Sequence, residues 1–281
     1  MTCLALPPSA MLTQPLRDLA AWTAHLRGAE IPVLADTALA LEGLRANEDN
    51  VDANSLGEMI AGDPLMTLKL LAYASTHRSE RMVTDTETVI AALVMMGIGP
   101  FFRAFGPQPA VSDWLHDWPE ALGGLNATLR RSHRAANFAL GFAVHRMDSD
   151  AAVIHAAALL HDSAEMLLWC HAPALALAMQ RAQQQDPALR SSAVQLGVLN
   201  VALVDLQQAL MKAWRLPELL VRISDDRHAD QPNVRCVTLA QRLARHTVQG
   251  WDNPAIPDDL TEIAELLNLS EAAAWQLVHE A

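Results

Sequence analysis

The segment from residue 157 to residue 169, AALLHDSAEMLLW, places an adjacent histidine and aspartate inside a strongly apolar stretch. Apolar residues run without a break up to the pair His161-Asp162, and four more follow directly after Glu165. Burial of a Leu or Met side chain contributes about 1.5–3 kcal/mol, so this stretch belongs in the core of the fold. A carboxylate there is costly unless it is paired, hydrogen-bonded or bound to a metal ion.

Two interpretations of the His161-Asp162 pair are open at this point. A histidine nitrogen and an aspartate oxygen can together bind one divalent ion, an arrangement common in metal-dependent hydrolases. Alternatively, the carboxylate caps a helix end and the imidazole bonds a backbone carbonyl, with no chemical role. The segment by itself does not decide between them.

The rest of the chain favours helices over sheets. Hydrophobic residues make up 51% of it but aromatic residues only 5%, with abundant Ala and Leu, which form helices more readily than strands. Apolar residues recur at spacings of three and four, and we find neither the alternation of a strand nor a fixed-period repeat. The sequence therefore predicts an all-α protein.

A Pro- and Trp-rich stretch interrupts the helical pattern at residues 106–120, GPQPAVSDWLHDWPE. We interpret residues 107–121 as a linker between an N-terminal helical bundle (1–106) and a C-terminal one (122–281). Trp114 and Trp118 either pin this linker to one bundle or, if exposed, form a surface for a protein partner.

Local signals also place individual helix ends. Asp63-Pro64 is the strongest, because Asp accepts hydrogen bonds from the free amides of a first turn and Pro fits there without loss. Further signals predict helix starts at Pro15 and Pro32, a capping box at Ser55 and Glu58, and helices over residues 89–96, 125–147 and 190–214.

Charge and cysteine content limit the function classes. The formal net charge of −12 argues against nucleic acid as a partner, since negative charge repels phosphate backbones. The densest basic cluster, Arg130, Arg131 and Arg134, is interpreted as a solvated helix face. Three cysteines without a CxxC spacing argue against a disulfide framework, and no signal peptide or membrane span of roughly 18 apolar residues is evident. We expect a cytoplasmic protein that binds neither nucleic acid nor membrane.

Several motifs in order resemble one family. They are IPVLADTALALEGL (31–44), DPL (63–65), KLL (69–71), VIAAL (89–93) and RRSHRAANFA (130–139), followed by the doublet. From about residue 30 to residue 250 the chain resembles the HDOD family (HD-related output domains), all-helical relatives of the HD metal-dependent phosphohydrolases found in bacterial signalling proteins. The resemblance implies that His133 matches the first superfamily histidine and that His161-Asp162 matches the doublet that names the superfamily.

The chain departs from the pattern of the catalytic enzymes. Their fourth ligand, an aspartate, opens a helix similar to VTLAQRLARH (237–246), where this chain has Gln241, and a neutral amide is a poor ligand for a divalent ion. Glu165 stands where many active enzymes have lysine. The other departures are Ala164 at a usual glycine, Leu203 at a usual histidine, and Arg227-His228 at a usual histidine pair.

The sequence thus leads to one prediction and one alternative. The prediction is a non-catalytic signal-transduction module that recognises a protein partner or a small signal and needs no cofactor. It retains a remnant of the HD site formed by His133, His161, Asp162, Gln241 and His228. No metal is expected; if one bound, its ligands would be His133, His161 and Asp162. The alternative is a metal-dependent phosphohydrolase of nucleotides or cyclic dinucleotides with an incomplete ligand set.

Overall fold

The computed structural model describes residues 11–77, 87–186 and 189–280. Within these ranges there is no strand, and the extended pairing seen there is an isolated parallel bridge between Val33 and Ala110. The predicted all-α fold is confirmed.

Seven helices precede the long central one. They are α1 Leu19–Arg27, α2 Ala35–Arg45, α3 Ala53–Ala61, α4 Pro64–Thr76, α5 Val89–Met96, α6 Ile98–Ala104 and α7 Val111–Trp114. A short 3₁₀ turn, Glu48–Asn50, lies between α2 and α3.

The central helix and its neighbours complete the fold. They are α8 Pro119–His145, α9 Ala151–Leu160, α10 Ser163–His171, α11 Pro173–Gln185, α12 Ser191–Leu199, α13 Leu203–Ala213, α14 Glu218–Ile223, α15 Pro232–His246, α16 Ile256–Leu267 and α17 Glu271–Glu280. A 3₁₀ turn, Asp226–His228, lies between α14 and α15.

The helix α8 is the centre of the second half of the chain, because α9, α10, α11 and α15 all pack against it. The apolar segment singled out in the sequence supplies the end of α9 and all of α10, and its aliphatic side chains are buried. The hydrophobic core is one connected cluster that extends from Trp22 in α1 to Val278 in α17. The helix α1 packs against α13 in the second half of the chain. The division into bundles at 1–106 and 122–281 stays a prediction.

Asp63 caps α4, as the sequence predicts. Its side chain is fully buried, and Oδ1 accepts hydrogen bonds from the amides of Leu65 (2.9 Å) and Met66 (3.1 Å). Oδ2 accepts from the amide of Leu34 at 2.8 Å, just before α2. Burial raises the pKa of this carboxyl against the opposing effect of these hydrogen bonds. One side chain therefore joins the starts of two helices.

Three predicted helix starts are wrong, each for an identifiable reason. The helix α1 starts at Leu19 instead of Pro15, because Asp18 accepts from the amide of Ala21. The helix α3 starts at Ala53, because Asp52, and not Ser55, accepts from the first-turn amides. The helix α2 cannot begin at Pro32, because residue 33 is extended and pairs with residues 109–111.

Two long helices also differ from their predicted ranges. The helix α8 starts at Pro119, inside the stretch interpreted as a linker, since Pro fits the first helical turn. The stretch 190–214 is two helices bent by 68° relative to each other. Asn200 adopts a left-handed conformation at the break, with φ of 64°, and the indole of Trp22 donates to the carbonyl of Leu199 there.

Residues 107–121 contact both the first and the second half of the chain. Val33 donates to the carbonyl of Pro109 (2.9 Å) and accepts from the amide of Val111 (2.8 Å). The indole N–H of Trp114 donates to the carbonyl of Cys170 at 2.9 Å. Trp114 and Trp118 are both half-buried and packed against the core.

One stretch, Ala151–His171, is apolar and long enough to cross a membrane by length and composition. Of its tested window, 72% is buried inside the protein. This is the environment of a core helix pair.

His171 lies at the point where α1, α7 and α10 meet. Its ring contacts those of His25 and Trp114 edge to face, and its Nε2 has no hydrogen-bond partner among the described residues. Burial, with a smaller effect of His25, lowers its pKa to about 4. The ring is therefore neutral in the folded protein at neutral pH.

We predict that Asp63→Ala lowers the free energy of unfolding by roughly 2–4 kcal/mol, because two buried amides and one partly buried amide lose their acceptor. Asp63→Asn keeps a neutral acceptor oxygen and should lose less. The control is Asp52→Ala, which removes an exposed cap and should cost only about 1 kcal/mol. Urea denaturation measures all three, and equal losses at Asp63 and Asp52 would contradict the assigned role.

We further predict acid sensitivity from His171. Its pKa is lower in the folded protein than the ordinary value of about 6.5, so its contribution is present above pH 6.5 and is lost as the pH falls toward 4. The loss amounts to about 3 kcal/mol. His171→Phe should remove that part of the pH dependence, whereas His145→Phe at an exposed position should not. Denaturation midpoints measured between pH 4 and pH 7 would show no difference if the ring were not buried and neutral.

Candidate functional site

His161 and Asp162 form the two-residue turn between α9 and α10. The Asp162 side chain makes no capping hydrogen bond to α10, and both nitrogens of His161 face carboxylates instead of a backbone carbonyl. The interpretation of this pair as a helix cap with a carbonyl-bonded imidazole is therefore wrong. The pair belongs to a group of charged side chains.

The carboxylate of Asp162 is only 8% exposed and is bound by two guanidinium groups. Arg131 on α8 donates from Nε to Oδ2 at 2.8 Å, and Arg245 on α15 approaches Oδ1 at 3.5 Å. Burial raises the pKa of Asp162, but Arg131, followed by the bond to His161 and by Arg245, holds it well below the ordinary value. Asp162 is therefore ionised.

His161 lies between two carboxylates. Its Nε2 is 3.0 Å from Asp226 Oδ1, and its Nδ1 is 3.4 Å from Asp162 Oδ1. Burial lowers the pKa of the ring, but hydrogen bonds to Asp162 and Asp226 outweigh burial and raise it to about 9. The ring is therefore a cation at neutral pH and donates from both nitrogens.

A third carboxylate completes the group. Glu165, one turn into α10, accepts from Arg131 Nη2 at 2.7 Å and from the hydroxyl of Thr128 at 2.9 Å. Three cations and three carboxylates thus balance one another. We name them the charge cluster: Arg131, His161, Asp162, Glu165, Asp226 and Arg245.

Arg131 contradicts the interpretation of residues 130, 131 and 134 as a solvated basic face. Its side chain is 19% exposed and points inward to Asp162. Arg134 also turns inward, since it donates to the carbonyl of Thr247 and lies over the Trp251 ring. Only Arg130 is exposed.

The structure does not bring His133 to the doublet. Burial lowers the pKa of its ring against the opposing charge of Asp63, and the ring in turn acts on His155. On an α-helix, two positions two residues apart point to nearly opposite sides. Arg131 therefore reaches the doublet and His133 points away from it.

Of the other two predicted site residues, Gln241 shares a cavity with His161, whereas His228 contacts Asp225. Gln241 is buried and lines a cavity together with His161; its Nε2 donates to the carbonyl of Ala158 at 2.7 Å. His228 is half exposed and lies 3.6 Å from Asp225. Asp226, two residues before His228, contacts His161 of the doublet instead. The signal for Asp226 was the acidic pair 225–226 just before Arg227-His228.

This arrangement does not fit a divalent ion. Among the described residues, no group of three or more His, Cys, Asp or Glu side chains is placed to hold a metal. Guanidinium groups occupy the oxygens of Asp162, and both nitrogens of His161 face carboxylates. That the protein binds no metal stays a prediction.

Two cavities lie against the charge cluster. The larger, about 480 Å³, lies between α8, α10, α11, α12 and α13 and is lined by His161, Asp162 and Glu165 on one side. The second, about 320 Å³, lies over α15 and α16. His161, Asp226 and Arg245 line both cavities.

The chain is similar to known proteins in sequence and fold. The family model of the HDOD domain matches residues 31–230. A response regulator, MmoQ, from Methylococcus capsulatus shares the fold with a TM-score of 0.65 and 21% identity, over 89% of this chain and 98% of that one. A virulence factor from Campylobacter jejuni gives a TM-score of 0.61 and 17% identity, over 91% and 92%. Among curated proteins, no sequence matches significantly.

We predict that Arg131→Met lowers the free energy of unfolding by about 3–5 kcal/mol, because it leaves a buried carboxylate without its main partner. The double substitution Arg131→Met with Asp162→Asn should be less destabilising than Arg131→Met alone. The control is Arg181→Met, which breaks an exposed pair with Glu120 and should have little effect. Urea denaturation at low and high salt tests this, and additive losses in the double variant would show that the two residues do not interact.

Proposed function

Since the chain belongs to the HDOD domain family, we propose that it is a non-catalytic module of signal transduction. It would act by recognising a protein partner or a small signal. The observation that carries the proposal is the charge cluster, in which guanidinium groups occupy the surroundings of Asp162. The name of one relative with the same fold, a response regulator, agrees with such a role.

The physical argument concerns charge compensation. In a metal hydrolase the carboxylate of the doublet is compensated by the metal, which also activates water. Here Arg131 and Arg245 compensate the carboxylate. To bind a metal, Asp162 would have to release Arg131. The guanidinium would then lie beside the metal ion as a second cation and repel it. In this proposal the HD site is degenerate and serves the structure.

For a protein partner, we propose the surface around Trp114 and Trp118. Both rings are half-buried, and large half-buried aromatic side chains are frequent anchors in interfaces. The indole N–H of Trp114 is already used by the Cys170 carbonyl. Trp118 is therefore the better candidate for the anchor.

We predict that the purified protein hydrolyses nucleotides, cyclic dinucleotides and model phosphodiesters no faster than background with Mg²⁺, Mn²⁺ or Zn²⁺ present. The reason is that Arg131 and Arg245 contact the Asp162 carboxylate and that both nitrogens of His161 face carboxylates. The measurement is product release, with Asp162→Ala as the matched variant. Metal-dependent turnover that Asp162→Ala abolishes would refute the proposal and establish the phosphohydrolase instead.

A further inference from the structure

The second cavity lies largely outside the part of the chain that the family model matches. Apart from His161, Asp226 and Ala229, its lining comes from α15 and α16, beyond residue 230. At about 320 Å³ it is within the size range of small-molecule sites. The chemistry of this cavity is therefore a property of this chain more than of the shared domain.

Positively and negatively charged side chains both line the cavity. Arg235, Arg242 and Arg245 project from one face of α15, since they are spaced seven and three residues apart. Asp226 and Glu262 face them from the neighbouring elements. The site therefore offers strong donors and strong acceptors together.

The arginines differ in how far they are already occupied. Arg242 binds Asp259 and Glu262 through Nε, Nη1 and Nη2. Arg235 contacts Glu265, an exposed carboxylate, through Nη2. Among the described residues, the ion pair of Arg245 is the one to Asp162 at 3.5 Å, and its side chain is 51% exposed. Arg245 is thus the cation with most donor capacity left for a ligand.

A buried acceptor lies in the same lining. Gln241 is 2% exposed, and its Nε2 donates to the Ala158 carbonyl at 2.7 Å. This bond fixes the orientation of the amide, because the oxygen cannot face a carbonyl. Among the described residues, no group donates a hydrogen bond to Gln241 Oε1 in this orientation. A buried acceptor without a donor costs about 1–3 kcal/mol.

These features together select the charge of a ligand. An anion alone would satisfy Arg245 but give no donor to Gln241 Oε1, and it would face Asp226 and Glu262. A cation alone would satisfy Gln241 and the carboxylates but face three guanidinium groups. A molecule with an ammonium and a carboxylate satisfies both sets without adding net charge.

We propose that the second cavity binds a small zwitterion of the α-amino acid class. Its carboxylate lies on the guanidinium of Arg245, and its ammonium donates to Gln241 Oε1 and Asp226. This inference deepens the proposed regulatory role, on which it rests, by giving the chemical class of the signal. Because Asp226 also holds His161, the ligand would contact the charge cluster directly.

The test is calorimetric titration of the full chain at pH 7 with each standard amino acid. Propionate, ethylamine and inorganic phosphate serve as separate probes. We expect saturable one-site binding of at least one amino acid. Propionate and ethylamine should bind at least about tenfold more weakly, because each makes only part of the polar contacts. Absence of binding by every amino acid, or phosphate binding as tight as the best amino acid, would overturn the proposal.

Matched variants locate the site. Gln241→Met and Arg245→Met should each weaken binding of the selected amino acid at least about tenfold. The controls are Gln180→Met, in the larger cavity, and Arg181→Met, at an exposed ion pair; both should bind as the parent does. If Gln241→Met does not fold, the half-exposed Arg245 still provides the test. Loss of binding in Gln180→Met alone would place the ligand in the other cavity and overturn the assignment.

The binding experiment is independent of the proposed absence of catalysis. Metal-dependent turnover abolished by Asp162→Ala would refute the proposed function whether or not an amino acid binds. Failure of every titration, with turnover still at background, would refute only the zwitterion site.

Discussion

The ionised carboxylate of Asp162 is the constraint on which the centre of the structure depends. It is buried at the turn between α9 and α10, where an unpaired charge would be costly. Its compensation comes from Arg131 on α8 and Arg245 on α15, and both helices pack directly against α9. The mutual positions of these helices are therefore fixed by charge as well as by apolar packing. A shift of α8 by one residue would withdraw Arg131 from the carboxylate.

The same constraint extends through His161 to the turn before α15. The ring is charged because Asp162 and Asp226 lie on either side of it, so it joins the buried carboxylate to one that is 39% exposed. A metal ion would compensate the same carboxylate by coordination. Guanidinium groups instead require donors at fixed positions on two helices. The charge that compensates the buried carboxylate is thus supplied by the chain itself.

The sequence predicts those features that depend on local chemistry. Asp63-Pro64 marks the start of α4, and the range of α5 is confirmed, because each signal lies within one helical turn. The start of α2 is missed because residue 33 pairs with residue 110, far along the chain. Arg131 and His133 lie on the predicted helix, but which of them faces the doublet depends on the rotation of α8 against α9. Asp226 is missed because its partner lies 65 residues away. Local signals give neither the rotation of α8 nor the contact between Asp226 and His161.

Three residues connect the two cavities with the charge cluster. Among the lining residues described, only His161, Asp226 and Arg245 belong to both. Each is also a member of the charge cluster, so a contact made to one of them in either cavity acts on the compensation of Asp162. A ligand shifts an equilibrium only through contacts that differ between two states. Asp226 lies in a three-residue 3₁₀ turn between α14 and α15, is partly exposed, and contacts the buried imidazolium. A contact made to Asp226 is therefore linked to the position of His161 through the contacts of His161 Nε2 with Oδ1 and Oδ2 of Asp226, at 3.0 and 3.2 Å.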